Sequence, residues 1–590
     1  MVVLGIDWGT TNSCVSYYNS DSKQFVVIPN EQGDLISPSV ISFDPEILCG
    51  KIARNLPNCL SKLKRLVGKD QLLKVKENVY LSVPQIICHY IHYLKDYATK
   101  FIGNLDPIDA VITVPVYYND HQREIIKNCF QECQINVLRI INEPTAAALA
   151  YAYGNVVGDG DGAVGDGDGD DEHILVFDCG GGTTDLSLLY LEHSSQVYQV
   201  KNVIGDNFLG GEDITQMLFD YLNGAGNGAG KCAGSGAEAC EKLKCDLSFR
   251  ENATFYYERG ETCYSRTVSR AQFLDITRPF FTKIKTLIRN LLNDAGCLIK
   301  LKKVIFVGGT TRIPYFKDLF REILGNDVII CCDLDPDCTV SLGAAVQGAL
   351  IEESLVGDFS DTLLLDIVPL SIGVETVGGV MTPIISRNSI LPISKTQDFT
   401  TSDSIIQIAV YQGERKFVKD NFLLAKFNVE TMSETETTVL SVTFDVSLDG
   451  IITASARIKG GEKIESIKIQ NSAEFAVEQH LLDAEMSKIS DSEKANQVIQ
   501  RNELYDIFKK LLCIFHEHTS TKLDSEYIKN ELNKLFNETF YIIEDFENYT
   551  PSQLRECKKI FEATWHQLVF SGNVNEHEDS CFSSQIKDES

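Results

Sequence analysis

The chain has 590 residues, a mass of 65.7 kDa and a formal charge of −29. That length implies several domains rather than one core, and the acidity excludes a general binder of nucleic acid or anionic membrane. No run of eighteen apolar residues offers a membrane span.

The first element is the apolar run Val2-Val3-Leu4-Gly5-Ile6, a buried strand ending in Asp7 and followed by Trp8-Gly9-Thr10-Thr11-Asn12. A strand starting at Val2 leaves no room for a signal or transit peptide. The eighteen cysteines are accordingly expected as reduced, mostly buried thiols in a cytosolic protein. Pro84 opens a helix in which Ile86, Ile87, Tyr90, Ile91, Leu94 and Ala98 keep helical spacing up to Gly103. Cys129 and Cys133 fall four apart on a helix and Cys331-Cys332 are adjacent, but neither gives a pair-of-pairs zinc spacing. The Gly-Asp tract from Gly154 to Asp171 reads as a charged hairpin tip; its carboxylates suit Ca²⁺, yet no full binding loop or repeat supports that.

Directly after this tract, Ile174-Leu175-Val176-Phe177-Asp178-Cys179-Gly180-Gly181-Gly182-Thr183-Thr184-Asp185 repeats the opening motif. Glycines let backbone N–H groups close on phosphate oxygens, and Thr hydroxyls add donors. An Asp at the strand end suits a hydrated Mg²⁺, which needs only one or two carboxylates. One copy could be an ordinary hairpin. Two imply a duplicated, actin-like clamp whose lobes grip one polyphosphate from both sides. Asn223 to Ala237 reads as a loop.

Strands and helices alternate to about Glu353, as an α/β architecture requires. After Val356 comes the apolar run Leu363-Leu364-Leu365 between Asp361 and Asp366, and then strands dominate to about Asn471. Ile406, Ile408 and Val410 alternate with Gln407 and Ala409; Leu440, Val442, Phe444 and Val446 alternate too, ahead of an Asp449-Gly450 hairpin turn. Ile528, Leu532, Leu535, Phe536 and Ile543 form a helical stripe, and Thr550-Pro551-Ser552-Gln553 is a capping box. The polar residues from Asn573 are expected to be disordered.

The ordered set of motifs resembles the seventy-kilodalton heat-shock chaperone family from Val3 to about Asn471. It comprises Gly5 to Asn12, Ile140-Ile141-Asn142-Glu143-Pro144-Thr145-Ala146-Ala147-Ala148, Phe177 to Asp185, Leu209-Gly210-Gly211-Glu212-Asp213, Val307-Gly308-Gly309-Thr310-Thr311-Arg312-Ile313-Pro314 and Pro369-Leu370-Ser371-Ile372-Gly373-Val374-Glu375-Thr376. The resemblance implies an α/β actin-like two-lobed ATPase domain over 1–355 and a linker over 356–368. An antiparallel β-sandwich peptide-binding domain over 369–472, an α-helical lid over 473–572 and a tail over 573–590 would follow.

It also implies roles. Asp7 and Asp178 would hold Mg²⁺ through water, and Gly9, Thr10, Thr11, Asn12, Gly180, Gly181, Gly182 and Thr183 would contact phosphates. Lys64 matches the catalytic lysine, and Glu143 and Asp185 match carboxylates orienting the attacking water and ions, K⁺ among them. Gly211, Glu241, Lys244, Cys245, Ser248, Gly309, Thr310, Arg312 and Asp337 match the nucleoside side of an ATP/ADP site. Pro115, Asp120, Arg123, Lys127 and Arg139 match a relay to the linker. Val374, Val377, Phe399, Ser402, Ile406 and Leu440 match an arch and pocket for an apolar peptide.

Some positions depart from the pattern. Cys245 stands where the family commonly has an arginine that stacks on the base. The segment between Gly68 and Pro84 and the loop Thr400–Ile405 are short, and the chain ends Lys587-Asp588-Glu589-Ser590. These departures put exchange-factor recognition and groove shape in question. The expectation is a slow ATPase that binds and releases apolar segments of unfolded proteins, with a J-domain co-chaperone and an exchange factor as further partners. A cytoplasmic setting is expected, with the nucleus open. A degenerate, nucleotide-regulated interaction protein with a dedicated partner is the alternative; a sugar kinase on the same clamp conflicts with the β unit that starts at Pro369.

Overall fold

Two hairpins of the same design each nucleate a sheet. The first pairs β1 (Val3–Trp8) with β2 (Asn12–Asn19), antiparallel, so that Asp7 faces Cys14 across the strands. β3 (Gln24–Val27) flanks β2. Helix α1 (Val83–Ile102) follows, then β4 (Ile108–Val114), α2 (Asp120–Glu132) and β5 (Ile135–Asn142), which order the sheet β5-β4-β1-β2-β3. The helix read from Pro84 is borne out: all six of its spaced apolar residues are buried. Ser82 and Gln85 form a capping box at its start, which satisfies two of the N–H groups a helix end leaves unpaired.

Helix α3 (Glu143–Val157) leads to the second hairpin, β6 (Glu172–Cys179) and β7 (Thr184–Glu192), in which Asp178 faces Asp185. β8 (Val197–Asp206), α4 (Gly211–Leu222), α5 (Ser235–Phe249), β9 (Leu301–Val307) and β10 (Ile329–Cys331) complete this half, whose sheet order is β10-β9-β6-β7-β8, while α6 (Thr339–Ile351) packs back on β1 and β2 of the first sheet. The core of the second half includes Phe177, packed 4.9–5.6 Å from Phe306, Phe316 and Phe320 between ring centroids. Helices α3 and α6 pack at Gly343, where a Cβ would lie 1.7 Å from the Ala146 carbonyl oxygen.

The linker run forms strand β11 (Leu363–Leu365), which adds in parallel to the free edge of β8, Val197 opposite Leu363. Beyond it, β12 (Ile393–Thr401), β14 (Thr438–Val446), β15 (Ile452–Ile458) and β16 (Ile464–Lys468) make a four-stranded antiparallel sheet in that order; β13 (Ile405–Gln412) lies outside it. The alternation in β14 is borne out, with Leu440, Val442, Phe444 and Val446 all buried. Gly450 turns the chain between β14 and β15 at φ +78°. In the second half of β13 the alternation fails, because Ala409 and Tyr411 are buried along with Ile408 and Val410; from Ile408 on, this strand is covered on both faces, which periodicity alone does not reveal.

The computed structural model describes residues 2–468 apart from 57, 70, 104–106, 158–170, 193–195, 223–234, 260–261, 296–300, 333, 356–361, 402–404, 431–437 and 460–463. Beyond these it describes 487, 491, 492, 494–502, 534, 542 and 549–568. Two compact units result: Met1–Ile372 with Pro383–Gln412 and Leu423–His480, and Gly373–Thr382 with Gly413–Phe422 and Leu481–Ser590. Within the second, Arg415 pairs with Asp491 at 2.6 Å and Asn502 donates to the Val377 carbonyl at 2.8 Å. Its helix Pro551–Leu568 has the expected cap, Gln553 accepting from the Thr550 N–H at 2.8 Å. The Gly-Asp tract at 158–170, the tract at 223–234, Ser402, the helical stripe from Ile528 to Ile543 and the tail 573–590 lie outside the described residues. Among the described residues no helix is long and apolar enough to cross a membrane.

Candidate functional site

The turns of the two hairpins touch. A Cβ on Gly181 would fall 1.9 Å from Thr11 Oγ1, and one on Gly182 would fall 2.5 Å from Thr10 Cγ2. Only glycine permits that approach. The second turn is held from behind: the Gly180 N–H donates to Thr183 O at 3.0 Å, the Glu212 N–H to Gly181 O at 2.8 Å, and Thr310 Oγ1 to Gly180 O at 2.8 Å. Arg65 clamps it by donating to Gly182 O at 2.6 and 3.1 Å while pairing with Asp213 at 2.8 Å.

Beneath the turns lies a buried charge cluster. Lys64 sits in the short 3₁₀ turn Leu63–Leu66, anchored by the Tyr118 hydroxyl, which donates to the Lys64 carbonyl at 2.6 Å. Its ammonium makes a short ion pair with Glu143, the first residue of α3, where the helix dipole favours a carboxylate. Asp7 accepts from Thr113 Oγ1 at 3.1 Å. Asp185 meets no side-chain donor among the described residues, and the Val116 backbone is a neighbour that favours its charged form. Asp7, Glu143, Asp178 and Asp185 are all buried together with Lys64, four acids to one base.

The proton affinities follow from this crowding. Burial pushes Asp7 up to about 7, the Lys64 charge pulling it down only in part. Burial, then the neighbouring Glu143, raises both Asp178 and Asp185 well above the carboxylate range. Burial pulls the Lys64 ammonium down, yet Glu143, Asp7 and Asp178 together hold it above its ordinary value. A buried carboxylate group of this kind is costly until a cation arrives. Among the described residues no three Asp, Glu, His or Cys side chains are arranged to grip an ion directly; carboxylates without a closed cage fit Mg²⁺, which stays largely hydrated.

On the nucleoside side, Glu241, Lys244, Cys245 and Ser248 lie on α5. Lys244 Nζ donates to Gly211 O at 3.0 Å, Thr215 Oγ1 at 3.3 Å and Glu241 Oε2 at 2.7 Å, so its three donors are engaged inside the protein. The Cys245 thiol is exposed and reaches Glu241 Oε1 at 3.6 Å. Gly211 approaches Thr310, Gly309 approaches Asp337, and Arg312 pairs with Asp337 at 2.8 Å and Asp335 at 2.7 Å. A cleft opens beside the glycine turns, lined by Thr10, Lys64, Arg65, Thr183, Asn207 and Phe208 among others.

The structure therefore brings the expected phosphate, metal and nucleoside residues into one region. The peptide residues divide between the units: Val374 and Val377 belong to the second, Phe399, Ile406 and Leu440 to the first. Phe399 faces Leu440 across β12 and β14. Sequence reasoning missed Arg65, Thr113 and Tyr118. Arg65 had one signal, its place beside Lys64; the other two carry none, since their roles depend on strand register and on a side chain arriving from another element.

Of the residues expected to form a relay, Asp120, Arg123 and Lys127 meet partners. The Ile452 N–H donates to both oxygens of Asp120 at 3.0 and 2.8 Å, and Lys127 pairs with Asp449 at 2.6 Å. Arg123 donates to Asn142 Oδ1 at 2.7 Å, and Asn142 donates to Asp366 at 2.8 Å. Asp449, read as a mere turn residue, also accepts from the Ile140 N–H at 3.0 Å. Thus β5, whose end carries Asn142 next to Glu143, touches both the linker and the β14–β15 turn.

The chain matches the family model described as Hsp70 protein over residues 3–564. It belongs to the Hsp70 family. The chain is also 36% identical over 573 residues to the chaperone protein DnaK of Mycoplasmopsis agalactiae, covering 91% of each chain. As an Hsp70 the protein is an ATP-dependent chaperone and an ATPase, and it uses a nucleotide and Mg²⁺. The dedicated-partner alternative is not favoured.

Proposed function

We propose that the cluster around Lys64 hydrolyses ATP slowly and that β5 and the linker pass the nucleotide state to the peptide-binding strands. The carrying observation is the meeting of the two glycine turns over four buried carboxylates and one lysine. Phosphoryl transfer to water needs positioning and charge neutralisation rather than covalent help. Thr10, Thr11, Thr183 and the backbone N–H groups of both turns hold the phosphates. Lys64 sets its charge near the terminal phosphate, where negative charge spreads in the transition state. Glu143 and Asp185 orient the water and receive its proton. Bound Mg²⁺ supplies Lewis-acid neutralisation of phosphate oxygens, and a monovalent ion, K⁺, suits the remaining carboxylate excess.

Glu241, Ser248, Gly309, Arg312 and Asp337 frame the nucleoside. Cys245 leaves the base without a stacked guanidinium, and Lys244 shapes Glu241 and Gly211 from behind. The domain limits at 355, 368, 472 and 572 and the peptide roles of Val374, Val377, Phe399, Ser402, Ile406 and Leu440 rest on the family resemblance. Clients are extended apolar segments, held by main-chain hydrogen bonds and one buried side chain. A J-domain co-chaperone and an exchange factor complete the cycle. The free thiols agree with a cytoplasmic setting; nothing supports the nucleus.

Single-turnover ATP hydrolysis, measured on the full chain with and without an apolar peptide, tests this reading. Slow hydrolysis that peptide accelerates, together with ATP-triggered peptide release, is expected. Hydrolysis indifferent to peptide would overturn the coupling.

A further inference from the structure

One short segment of the first half reaches across to the second glycine turn. The 3₁₀ turn Leu63–Leu66 is fixed to the first half on several sides. Leu63 and Val67 are buried in the core that also holds Leu4, Ile6, Val15 and Tyr90. The Tyr118 hydroxyl donates to the Lys64 carbonyl at 2.6 Å, and Gln122 Nε2 donates to the Val67 carbonyl at 3.0 Å. From this anchored base two cations extend to the second half. Arg65 Nη2 donates to Gly182 O at 2.6 Å and pairs with Asp213 at 2.8 Å, while its Nε donates to the same carbonyl at 3.1 Å. Lys62 pairs with Glu212 at 2.7 Å.

The three carbonyls of the second glycine turn are all taken, but not by the same half. Gly180 O accepts from the Gly211 N–H at 3.0 Å and from Thr310 Oγ1 at 2.8 Å, and Gly181 O accepts from the Glu212 N–H at 2.8 Å. Those donors belong to the second half and travel with the turn. Gly182 O is held from the first half, by Arg65. A peptide unit is planar and trans, so its carbonyl and its N–H point in opposite directions. Holding the three carbonyls therefore aims the N–H groups of Gly181, Gly182 and Thr183 at the opposite side of the turn. Glycine at 182 leaves the last of these peptide units free to rotate unless its carbonyl is fastened. A planar guanidinium fork can grip one carbonyl twice and still meet a carboxylate.

We infer that Arg65 is a positioning residue for hydrolysis, which aims the Thr183 N–H at the phosphates only while the two halves are closed on each other. The inference rests on the reading that both turns hold phosphate. Arg65 acts through the Gly182 carbonyl and needs no contact with the nucleotide. When the halves part, the guanidinium leaves that carbonyl, and the pairs Arg65–Asp213 and Lys62–Glu212 break with it. Alignment of the second turn and closure of the cleft are thus one event, and the side chain that aligns the turn also delays the departure of ADP.

The test compares Arg65→Ala and Arg65→Lys in the full chain, with circular dichroism to check folding. Single-turnover hydrolysis at saturating ATP keeps lost affinity out of the rate, and displacement of a fluorescent ADP analogue reports release. Arg65→Ala should slow hydrolysis roughly a hundredfold, the cost of a misplaced group, and quicken ADP release roughly tenfold, since a lost charge pair acts on dissociation. Arg65→Lys keeps the charge but not the fork, so ADP release should return close to the native rate while hydrolysis stays slow. Native hydrolysis in Arg65→Ala would overturn the inference, and so would hydrolysis restored by Arg65→Lys, which would make Arg65 a charge rather than a positioning group. Should Arg65→Ala not fold, Arg65→Lys decides alone on the same criterion. Lys64→Ala, run alongside, separates the two levels of the argument. Hydrolysis lost in Lys64→Ala but native in Arg65→Ala overturns only the role of Arg65; native hydrolysis in Lys64→Ala overturns the site reading beneath it.

Discussion

The two glycine hairpins share a backbone plan and differ in charge. In the first, Asp7 faces the neutral Cys14 across the strands and takes a hydrogen bond from Thr113. In the second, Asp178 faces Asp185 directly, and Asp185 takes no side-chain hydrogen bond among the described residues. Like charges opposite one another destabilise a strand pair, so the second copy keeps a local cost that the first has shed. The shared plan sets two glycine turns against each other, and the asymmetry concentrates buried negative charge on one side. Lys64, paired with Glu143, is the base buried among these four acids and serves both sides.

Removing that lysine should have the largest effect. Lys64→Ala breaks a buried ion pair, which costs about 3–5 kcal/mol of stability, and it should slow hydrolysis roughly a hundredfold or more. ATP affinity should stay within about 1.4 kcal/mol, a factor of ten. Thermal unfolding, single-turnover kinetics and calorimetry measure the three. Equal loss of binding and turnover would make Lys64 a binding residue instead.

Asparagine substitutions test the inequality of the hairpins themselves. In chelator at pH 8, Asp185→Asn should stabilise the protein by about 1–3 kcal/mol, since it removes a buried carboxylate charge crowded by Glu143 and placed opposite Asp178. Asp7→Asn should gain less, because Asp7 already has Thr113. Denaturant unfolding compares them, and a larger gain at Asp7 would reverse the comparison. Both variants should lose hydrolysis.

The smallest effect lies away from both hairpins. A guanidinium stacked on the base is worth about 0.5–2 kcal/mol, so Cys245→Arg should tighten ATP binding up to roughly thirtyfold. No gain by calorimetry would mean that other groups hold the adenine.

Much of this was legible in the chain because it is local. The two Asp-Gly-Thr turns, the helix after Ser82 and the β14–β15 hairpin are set by residues within a few positions of one another. The charge inequality was half legible: Asp178 and Asp185 stand in one motif, but that they face each other follows from strand register. Asp449 looked like a turn residue and proved to be a contact for Lys127 and Ile140, more than 300 positions away in the chain. Cys133 Sγ comes within 3.2 Å of His92 Nδ1 only because two helices pack side by side. Residues whose meaning is a distant neighbour leave no periodic trace.

The carboxylate cluster makes a further claim about protons. Asp7, Asp178 and Asp185 hold protons to higher pH in the fold than in the unfolded chain. The metal-free fold is therefore favoured at low pH, and the stability contributed by Asp7 fades as pH climbs from its ordinary value of 3.8 toward about 7. Mg²⁺ with nucleotide must displace those protons to bind. The most direct measurement is calorimetry of Mg·ADP binding near pH 6.5 in buffers of different ionisation enthalpy. The account expects protons to be released into the buffer on binding, with less release at pH 8, where Asp7 is already ionised. Binding with no proton release at either pH would contradict it.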